Sequence, residues 1–212
     1  MLLVSLSDPE MLARVCGGFL STPRSKIRIS QALNARKALQ HLTDTNLKGV
    51  IVADEGIVED ENSEVFSSLV GWVNAGGIAV VGYLFPCFIS FRKIDPFFKK
   101  WGLPWTIGAY TGSTFVLNPL IRPSSSHSAN IATSYSMKAV HLRGVKAEDV
   151  LYATPKEEDE DDKESMAFPS LVFDLSSVPI AYTRIGDGFL GFVGDVNTEE
   201  ESASVILAML RL

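Results

Sequence analysis

The stretch from Gly49 to Cys87 reads GVIVADEGIVEDENSEVFSSLVGWVNAGGIAVVGYLFPC. An apolar run, an acidic turn, an amphipathic segment, a pair of glycines and a second apolar run follow one another in it. Continuous apolar runs are typical of parallel strands that are covered by helices on both faces. The stretch therefore predicts one βαβ unit, with strands at 50–53 and 78–81 and a helix between them.

The helix of this unit is predicted to begin at Asn62 and to end at Gly76. An asparagine side chain can cap the first amides of a helix, and a glycine can take the left-handed conformation that ends one. Between them the apolar residues recur at helical spacing, so one face of the helix is expected to be buried. That face comprises Val65, Phe66, Leu69, Val70 and Val73.

Similar patterns extend in both directions from the βαβ unit. Short apolar or alternating runs predict further strands, at 2–5, 26–30, 114–117, 139–142 and 150–153. Helical spacing and capping residues predict helices at 9–20, after Asn34, at 96–101 behind Asp95, and at 198–210 behind Asn197.

Near the carboxyl end of the chain, runs at 180–185 and 189–193 flank a Gly-Asp-Gly turn and predict a β-hairpin. We expect an α/β protein: a three-layer, flavodoxin-like domain with a mostly parallel sheet, helices on both faces and an antiparallel C-terminal hairpin extension. One such domain would span residues 1–212. Two segments are expected to be loops, the Ser- and Pro-rich stretch 118–137 and the acidic stretch 156–165.

The net charge of -6 is concentrated in the acidic stretch, which holds seven acidic residues and two lysines. Because the rest of the chain is close to neutral, it lacks the electropositive face that nucleic acid requires, and we expect no nucleic-acid binding. No apolar run approaches the roughly 20 residues that cross a bilayer and no basic leader is present, so we expect no membrane contact. The two cysteines, Cys16 and Cys87, form no disulfide framework, which favours a cytoplasmic location.

In an open parallel sheet, ligands bind beyond the carboxyl ends of the strands. The polar residues in those places are Asp54, Glu55, Tyr83, Asp195 and Asn197. They are the candidate ligand-binding residues, because together they can contact the hydroxyls of a polar small molecule or a hard cation. The alternative is that the first two begin a solvated turn and that Asp195 and Asn197 are turn and cap residues.

Cys87 is the candidate nucleophile at this edge, although a cysteine in such a position can also be a small buried hydrophobe. The three histidines, His41, His127 and His141, are scattered, and none has ligand spacing to another histidine or cysteine. We therefore expect no metal site and no cofactor. The aromatic stretch from Phe97 to Trp105 is either a packed part of the core or the wall of a pocket.

Four segments resemble the class I glutamine amidotransferase-like superfamily, which includes the ThuA-like domains. They are KGVIVADEGI (48–57), NAGG (74–77), IAVVGY (78–83) and GFLGFVGDVNTEE (188–200). The similarity extends over residues 1–117 and 178–212 at the level of pattern, and it implies the same flavodoxin-like sheet.

The resemblance also says which catalytic residues to look for. Catalytic members of the family carry a cysteine in a G-x-C-x-G elbow directly after the strand that here reads IAVVG, and Leu84 stands at that position. The family's H-P-E signature falls near the last strand, where this chain has the histidine-free stretch 194–197. A Cys–His pair needs both partners within hydrogen-bond reach, so glutamine hydrolysis is not expected.

The function that follows is that of a pseudoenzyme: a non-catalytic amidotransferase-like domain that binds a small polar ligand or a protein partner. The alternative is a hydrolase-type enzyme with a rearranged site centred on Cys87. In that case Asp54, Glu55 or Asp195 would lie nearby, and Tyr83 or His127 would carry the proton. A third hypothesis is a structural subunit that forms a homodimer through the aromatic stretch.

Overall fold

The computed structural model describes residues 1–21, 28–119, 131–156 and 173–211, with the side chains of 16–21 excepted. Ten strands are found in these ranges: β1 (Leu2–Val4), β2 (Ser30–Ala32), β3 (Val50–Val52), β4 (Ile78–Val81), β5 (Thr106–Leu117), β6 (Ser134–Arg143), β7 (Val150–Pro155), β8 (Phe173–Asp174), β9 (Ile180–Ile185) and β10 (Gly188–Val193). The helices in the same ranges are α1 (Pro9–Ser21), α2 (Ala35–Leu42), α3 (Ser63–Asn74), α4 (Phe85–Phe88), α5 (Phe91–Lys100) and α6 (Glu200–Met209).

All ten strands belong to one sheet, in the order β2-β1-β3-β4-β10-β9-β7-β5-β6, with β8 paired to β7. The first five strands of this order are parallel to one another. Their order is the one found in flavodoxin-like folds. The structure thus confirms a mixed α/β fold with one large sheet and a parallel part of the expected kind.

The antiparallel part is larger than the predicted hairpin. Strands β9 and β10 do form that hairpin, but the sheet continues beyond it through β7, β5 and β6. Strand β5 covers 106–117 rather than 114–117, and β6 begins at Ser134, so residues 134–137 of the predicted loop are strand. The added residues of β5 are mostly Gly, Ser and Thr and are half-buried or exposed, so they carry little apolar pattern.

Alternate residues of the parallel strands contribute to two separate apolar clusters. Leu2, Val4, Val50 and Val52 belong to a cluster that includes buried residues of α2, α3 and α5. The intervening residues of the same strands belong to a cluster that includes residues of α1 and α6. Because successive side chains of a strand point to opposite faces, both faces of the parallel part are buried, which explains its continuous apolar runs.

The βαβ unit matches the sequence pattern except at the start of its helix. Gly76 has a φ of +111° and ends α3 as expected. Asn62, however, does not cap α3, because its buried side-chain amide donates to the carbonyl oxygen of Gly56 at 2.7 Å. The asparagine therefore holds the acidic turn after β3 in place.

Helix α5 begins at Phe91, four residues before the predicted cap at Asp95, and Pro96 lies inside it. The Asp95 carboxylate instead accepts a hydrogen bond from the backbone amide of Ile107 at 2.7 Å, which ties α5 to β5. The aromatic residues that follow are largely core: Phe98 packs against Trp105 and Phe192 at ring-centroid distances of 5.1 and 5.6 Å.

Strand β6 folds back onto the segment that follows β10. The amide of Val140 donates to the carbonyl oxygen of Gly194 at 2.8 Å, and the amide of Val196 donates to that of Lys138 at 2.9 Å. A side chain at Gly194 would put a Cβ 1.9 Å from the Val140 carbonyl oxygen, so only glycine fits this crossing. The antiparallel strands therefore fix the chain directly after β10.

Some segments with predicted roles lie outside the described residues: the acidic stretch beyond Lys156, most of the stretch 118–137 with His127, and the side chain of Cys16. Within the described ranges, no helix is both long enough and apolar enough to cross a bilayer.

Candidate functional site

The parallel strands β1, β3, β4 and β10 end at the same edge of the sheet. The chain order reverses between β1 and β3, because β2 lies on one side of β1 and β3 on the other. Ligands of open α/β sheets bind at such a point. The candidate nucleophile and the candidate ligand-binding residues from the sequence all lie in the segments that follow these strands.

Asp54 lies between the ends of β1 and β3 and is only 2% exposed. Its carboxylate accepts hydrogen bonds from the backbone amides of Leu6, Ser7 and Gly56 at 3.0, 3.2 and 3.1 Å. It also accepts one from the hydroxyl of Ser5. A cradle of backbone amides is the usual site for an anion, and here the chain supplies the anion itself.

Glu55 and Asp195 each have partners within the chain. Glu55 is half-buried, and its Oε1 accepts a hydrogen bond from the Ser7 hydroxyl at 2.7 Å. Asp195 is 2% exposed, and its carboxylate accepts hydrogen bonds from the backbone amides of Asn197 at 2.8 Å and Glu199 at 2.7 Å. Asp195 therefore accepts hydrogen bonds from the backbone amides that lead into α6. The sequence predicts this capping role for Asn197, whose side chain is exposed instead.

The thiol of Cys87 is half-buried. Its Sγ lies 3.3 Å from the carbonyl oxygen of Val196 and 3.4 Å from that of Tyr83, and neither hydrogen bond involves a histidine. Burial, and then the negative charges of Asp195 and Glu55, raise the pKa of this thiol to about 11. Because the thiolate is the reactive form of cysteine, the environment of Cys87 holds it in the unreactive thiol form at neutral pH.

A strained turn joins β4 to α4, as in the nucleophile elbows of hydrolases. Its left-handed residue is Tyr83, with a φ of +56°, which is one residue before the position assigned to the family's cysteine. A conformation of this kind is costly for a bulky residue. The chain thus retains an elbow-like turn, but carries a buried tyrosine at its tip.

The backbone amide after the elbow has a partner inside the protein. In acyl-transfer enzymes this amide points at the developing oxyanion. Here the amide of Leu84 donates to the carbonyl oxygen of Ala53 at 2.9 Å, and that of Phe85 donates to the same oxygen at 3.1 Å. The donors that would stabilise an oxyanion are bonded across to the end of β3.

His141, which the sequence places in a strand, lies on β6 and is 3% exposed. Burial lowers its pKa, with the backbone of Ser177 and the charge of Asp174 opposing the shift. Neither ring nitrogen makes a hydrogen bond of good geometry within the described residues, and one face meets Phe115 at a centroid distance of 5.3 Å. In the same ranges, no three His, Cys, Asp or Glu side chains are grouped to hold a metal ion.

An exposed group of aromatic side chains lies beside this edge. Phe88, Phe91 and Tyr110 are 53%, 47% and 48% exposed. Phe88 follows Cys87, the rings of Phe91 and Tyr110 are 6.1 Å apart, and the Nζ of Lys138 lies 4.7 Å from the Tyr110 ring. We call these four residues the aromatic surface. No sequence periodicity points to it, because its members come from four separate elements, α4, α5, β5 and β6.

Solved structures with the same fold as this chain are found by structural comparison. No family model and no curated protein sequence matches the chain significantly. Among solved structures, a ThuA-like protein from Bacteroides uniformis matches with a TM-score of 0.60 and 10% identity, over 99% of this chain and 89% of that protein. Two cytoplasmic proteins from Salmonella typhimurium match with TM-scores of 0.57 and 0.55 at 10% and 9% identity. These matches cover 98% and 99% of this chain and 93% and 97% of theirs.

The match to an enzyme of known activity is partial. A β-galactosidase from Bacillus circulans matches with a TM-score of 0.53 and 11% identity, but this chain spans only 30% of that protein. Likenesses at these identities establish the fold and nothing about activity. This chain therefore shares its fold with the ThuA-like protein from Bacteroides uniformis.

Proposed function

We propose that this chain is a non-catalytic amidotransferase-like domain that binds a protein partner through the aromatic surface. The observation that carries the proposal is the state of the strand-end edge. The carboxylates of Asp54 and Asp195 and the amide of Leu84 are all bonded to other groups of the chain. The Asp54 carboxylate already accepts four hydrogen bonds and the Leu84 amide has one proton to donate, so a small polar ligand would have to displace a partner of either group. A buried group left unpaired in this way is expensive.

The aromatic surface has the composition of an interface. Single exposed apolar residues are ordinary, but several large ones side by side mark binding surfaces, and aromatic residues dominate the binding energy of interfaces. Lys138 packs on Tyr110, and Arg92 next to Phe91 is also exposed. The partner that complements this surface presents an apolar side chain flanked by carboxylates.

The direct test uses a photoreactive amino acid in place of Phe91 in cells, followed by reconstitution with the purified partner that it cross-links. The double variant F88S/F91S is expected to weaken the reconstituted complex by at least about tenfold, since hot-spot aromatics contribute about 2 kcal/mol or more. The matched control is L33S, because Leu33 is also an exposed apolar residue, 37% exposed, and lies between β2 and α2. Equal loss of binding in both variants would overturn the proposal.

A second hypothesis is that the aromatic surface joins two copies of this chain in a homodimer. Light scattering of the wild-type chain and of F88S/F91S separates the two hypotheses, because a dimer would become monomeric only in the double variant. We further propose a cytoplasmic location, supported by the cysteine usage and by the names of the two Salmonella proteins that share the fold.

A further inference from the structure

A cleft of about 240 Å³ opens between the turn after β3 and the helices α3 and α5. It contains no residue of the aromatic surface and none of the candidate ligand-binding residues at the strand ends, although Phe97 of the predicted aromatic stretch lines it. Helix α5 separates the two features: Lys93, Pro96 and Phe97 line the cleft, whereas Asp95 is bonded to β5. The cleft is therefore a separate feature of the molecule.

The floor of the cleft is apolar and rigid. Ile57, Phe66 and Phe97 line it and are 1%, 6% and 3% exposed. The rings of Phe66 and Phe97 lie 5.4 Å apart and are inclined by 56°. Such a floor favours a compact apolar body, and above all an aromatic ring.

The two walls of the cleft carry opposite charges. Lys93 and Lys100 stand two turns apart on the same face of α5. Glu59 and Asp60 line the other wall, and both carboxylate oxygens of Glu59 lie 2.7 and 2.8 Å from the Nζ of Lys93. Lys100 lies over the Phe66 ring at 5.4 Å, and neither it nor Asp60 forms an ion pair within the described residues.

We propose that this cleft binds a small zwitterion with an apolar body, of which an apolar α-amino acid is the simplest form. Its carboxylate pairs with Lys100, its ammonium pairs with Asp60, and its side chain covers Phe66 and Phe97. The charges of the two acidic and two basic wall residues sum to zero, so the cleft remains neutral when a zwitterion binds. A ligand with a single charge pairs with only one of Lys100 and Asp60, and therefore makes one charge-assisted contact fewer.

Three probes with the same phenyl body test this proposal on the full chain. L-Phenylalanine carries both charges, 3-phenylpropionate only the anion, and 2-phenylethylamine only the cation. Titration calorimetry should give a dissociation constant for L-phenylalanine about tenfold or more below those of the other two, since each lost charge-assisted contact is worth roughly that factor. Trp101 provides a second readout, because its ring lies 5.5 Å from that of Phe66.

Matched variants assign the charges. K100M should weaken L-phenylalanine about tenfold and leave 2-phenylethylamine unchanged, whereas K99M changes neither, since Lys99 is exposed and does not line the cleft. D60N should weaken L-phenylalanine and leave 3-phenylpropionate unchanged, with E61Q as its control. Equal affinity for the three probes, or no heat with L-phenylalanine up to its solubility limit, would overturn the zwitterion site. Neither result bears on the aromatic surface.

Discussion

Two residues of the strand-end edge, Tyr83 and Cys87, show how the surroundings of a side chain decide its chemistry. The backbone at Tyr83 has the left-handed conformation of a nucleophile elbow, but the side chain is a buried phenol. Cys87 is the reactive residue type of the pair, yet it lies outside the strained position and faces two backbone carbonyls. The backbone conformation typical of a nucleophile is thus at Tyr83, whereas the side chain that could act as a nucleophile is that of Cys87.

The reactivity of Cys87 follows from its pKa of about 11. Its alkylation by iodoacetamide at pH 8 should be slower in the folded protein than in the denatured chain, where an ordinary cysteine has a pKa of about 8.5. The rate in the folded protein should still rise between pH 9 and 10. A C16S variant removes the other cysteine from the measurement, and a folded-state rate above the denatured one would restore the enzyme hypothesis.

The strain at Tyr83 can be measured with a pair of variants. Y83A and Y83G both remove the buried ring, so they differ mainly in the ease with which the backbone takes a positive φ. We expect Y83G to have the larger free energy of unfolding by about 1 kcal/mol, because glycine reaches this conformation without a steric penalty. Urea denaturation gives the difference, and a more stable Y83A would show that position 83 is unstrained.

At the scale of the element, the crossing of β6 over the end of β10 depends on one glycine. G194A would place a methyl group 1.9 Å from the Val140 carbonyl oxygen, which the backbone can accommodate only by moving apart. We expect a loss of about 2–3 kcal/mol in the free energy of unfolding. The control is G112A on β5, where the nearest atom to the added methyl is 3.8 Å away and the change should stay within about 0.5 kcal/mol. Similar losses in the two variants would contradict this account.

The same elements show what sequence patterns reveal. Strands β3 and β4 were predictable because burial on both faces requires unbroken apolar runs. The first part of β5 was not, because the run from Tyr110 to Thr114 is polar, glycine-containing and mostly exposed, and its partner β6 decides its conformation. Asn62 matches a helix cap by pattern, but a backbone carbonyl from the preceding turn takes its amide.

The positions of the candidate residues relative to the sheet were predictable, but the hydrogen-bond partners of their side chains were not. The rule for strand ends correctly indicated where Asp54 and Asp195 lie relative to the sheet. Whether a carboxylate faces a ligand or a backbone amide depends on loops from other parts of the chain, such as the one containing Ser7. Sequence spacing carries no information about that contact.

At the scale of the whole molecule, buried His141 couples stability to pH. Burial lowers the pKa of this histidine in the folded state, so the unfolded chain binds a proton first as the pH falls. The stability that the neutral ring contributes is complete above the unfolded value of about 6.5 and is lost as the pH falls below it. Asp174, whose pKa is lowered, loses its contribution only below the ordinary aspartate range.

The variant H141L should remove this dependence. Urea denaturation of the wild-type protein between pH 7.5 and 5 should show a falling free energy of unfolding that H141L lacks. The control is H41Q, on the outer helix α2, which should follow the wild-type profile. An unchanged slope in H141L would mean that other groups govern the acid response.

The backbone amides that donate to Asp54 form a site that could bind an anion, and the Asp54 carboxylate occupies that site. Shortening that side chain in D54G would leave the amides of Leu6, Ser7 and Gly56 without their acceptor, at a cost of about 3 kcal/mol or more. Formate or acetate should then enter the gap and raise the melting temperature of D54G in proportion to the logarithm of its concentration, while chloride at equal ionic strength does not. Chemical rescue of this kind would show that the three backbone amides bind an external anion once the Asp54 carboxylate is removed.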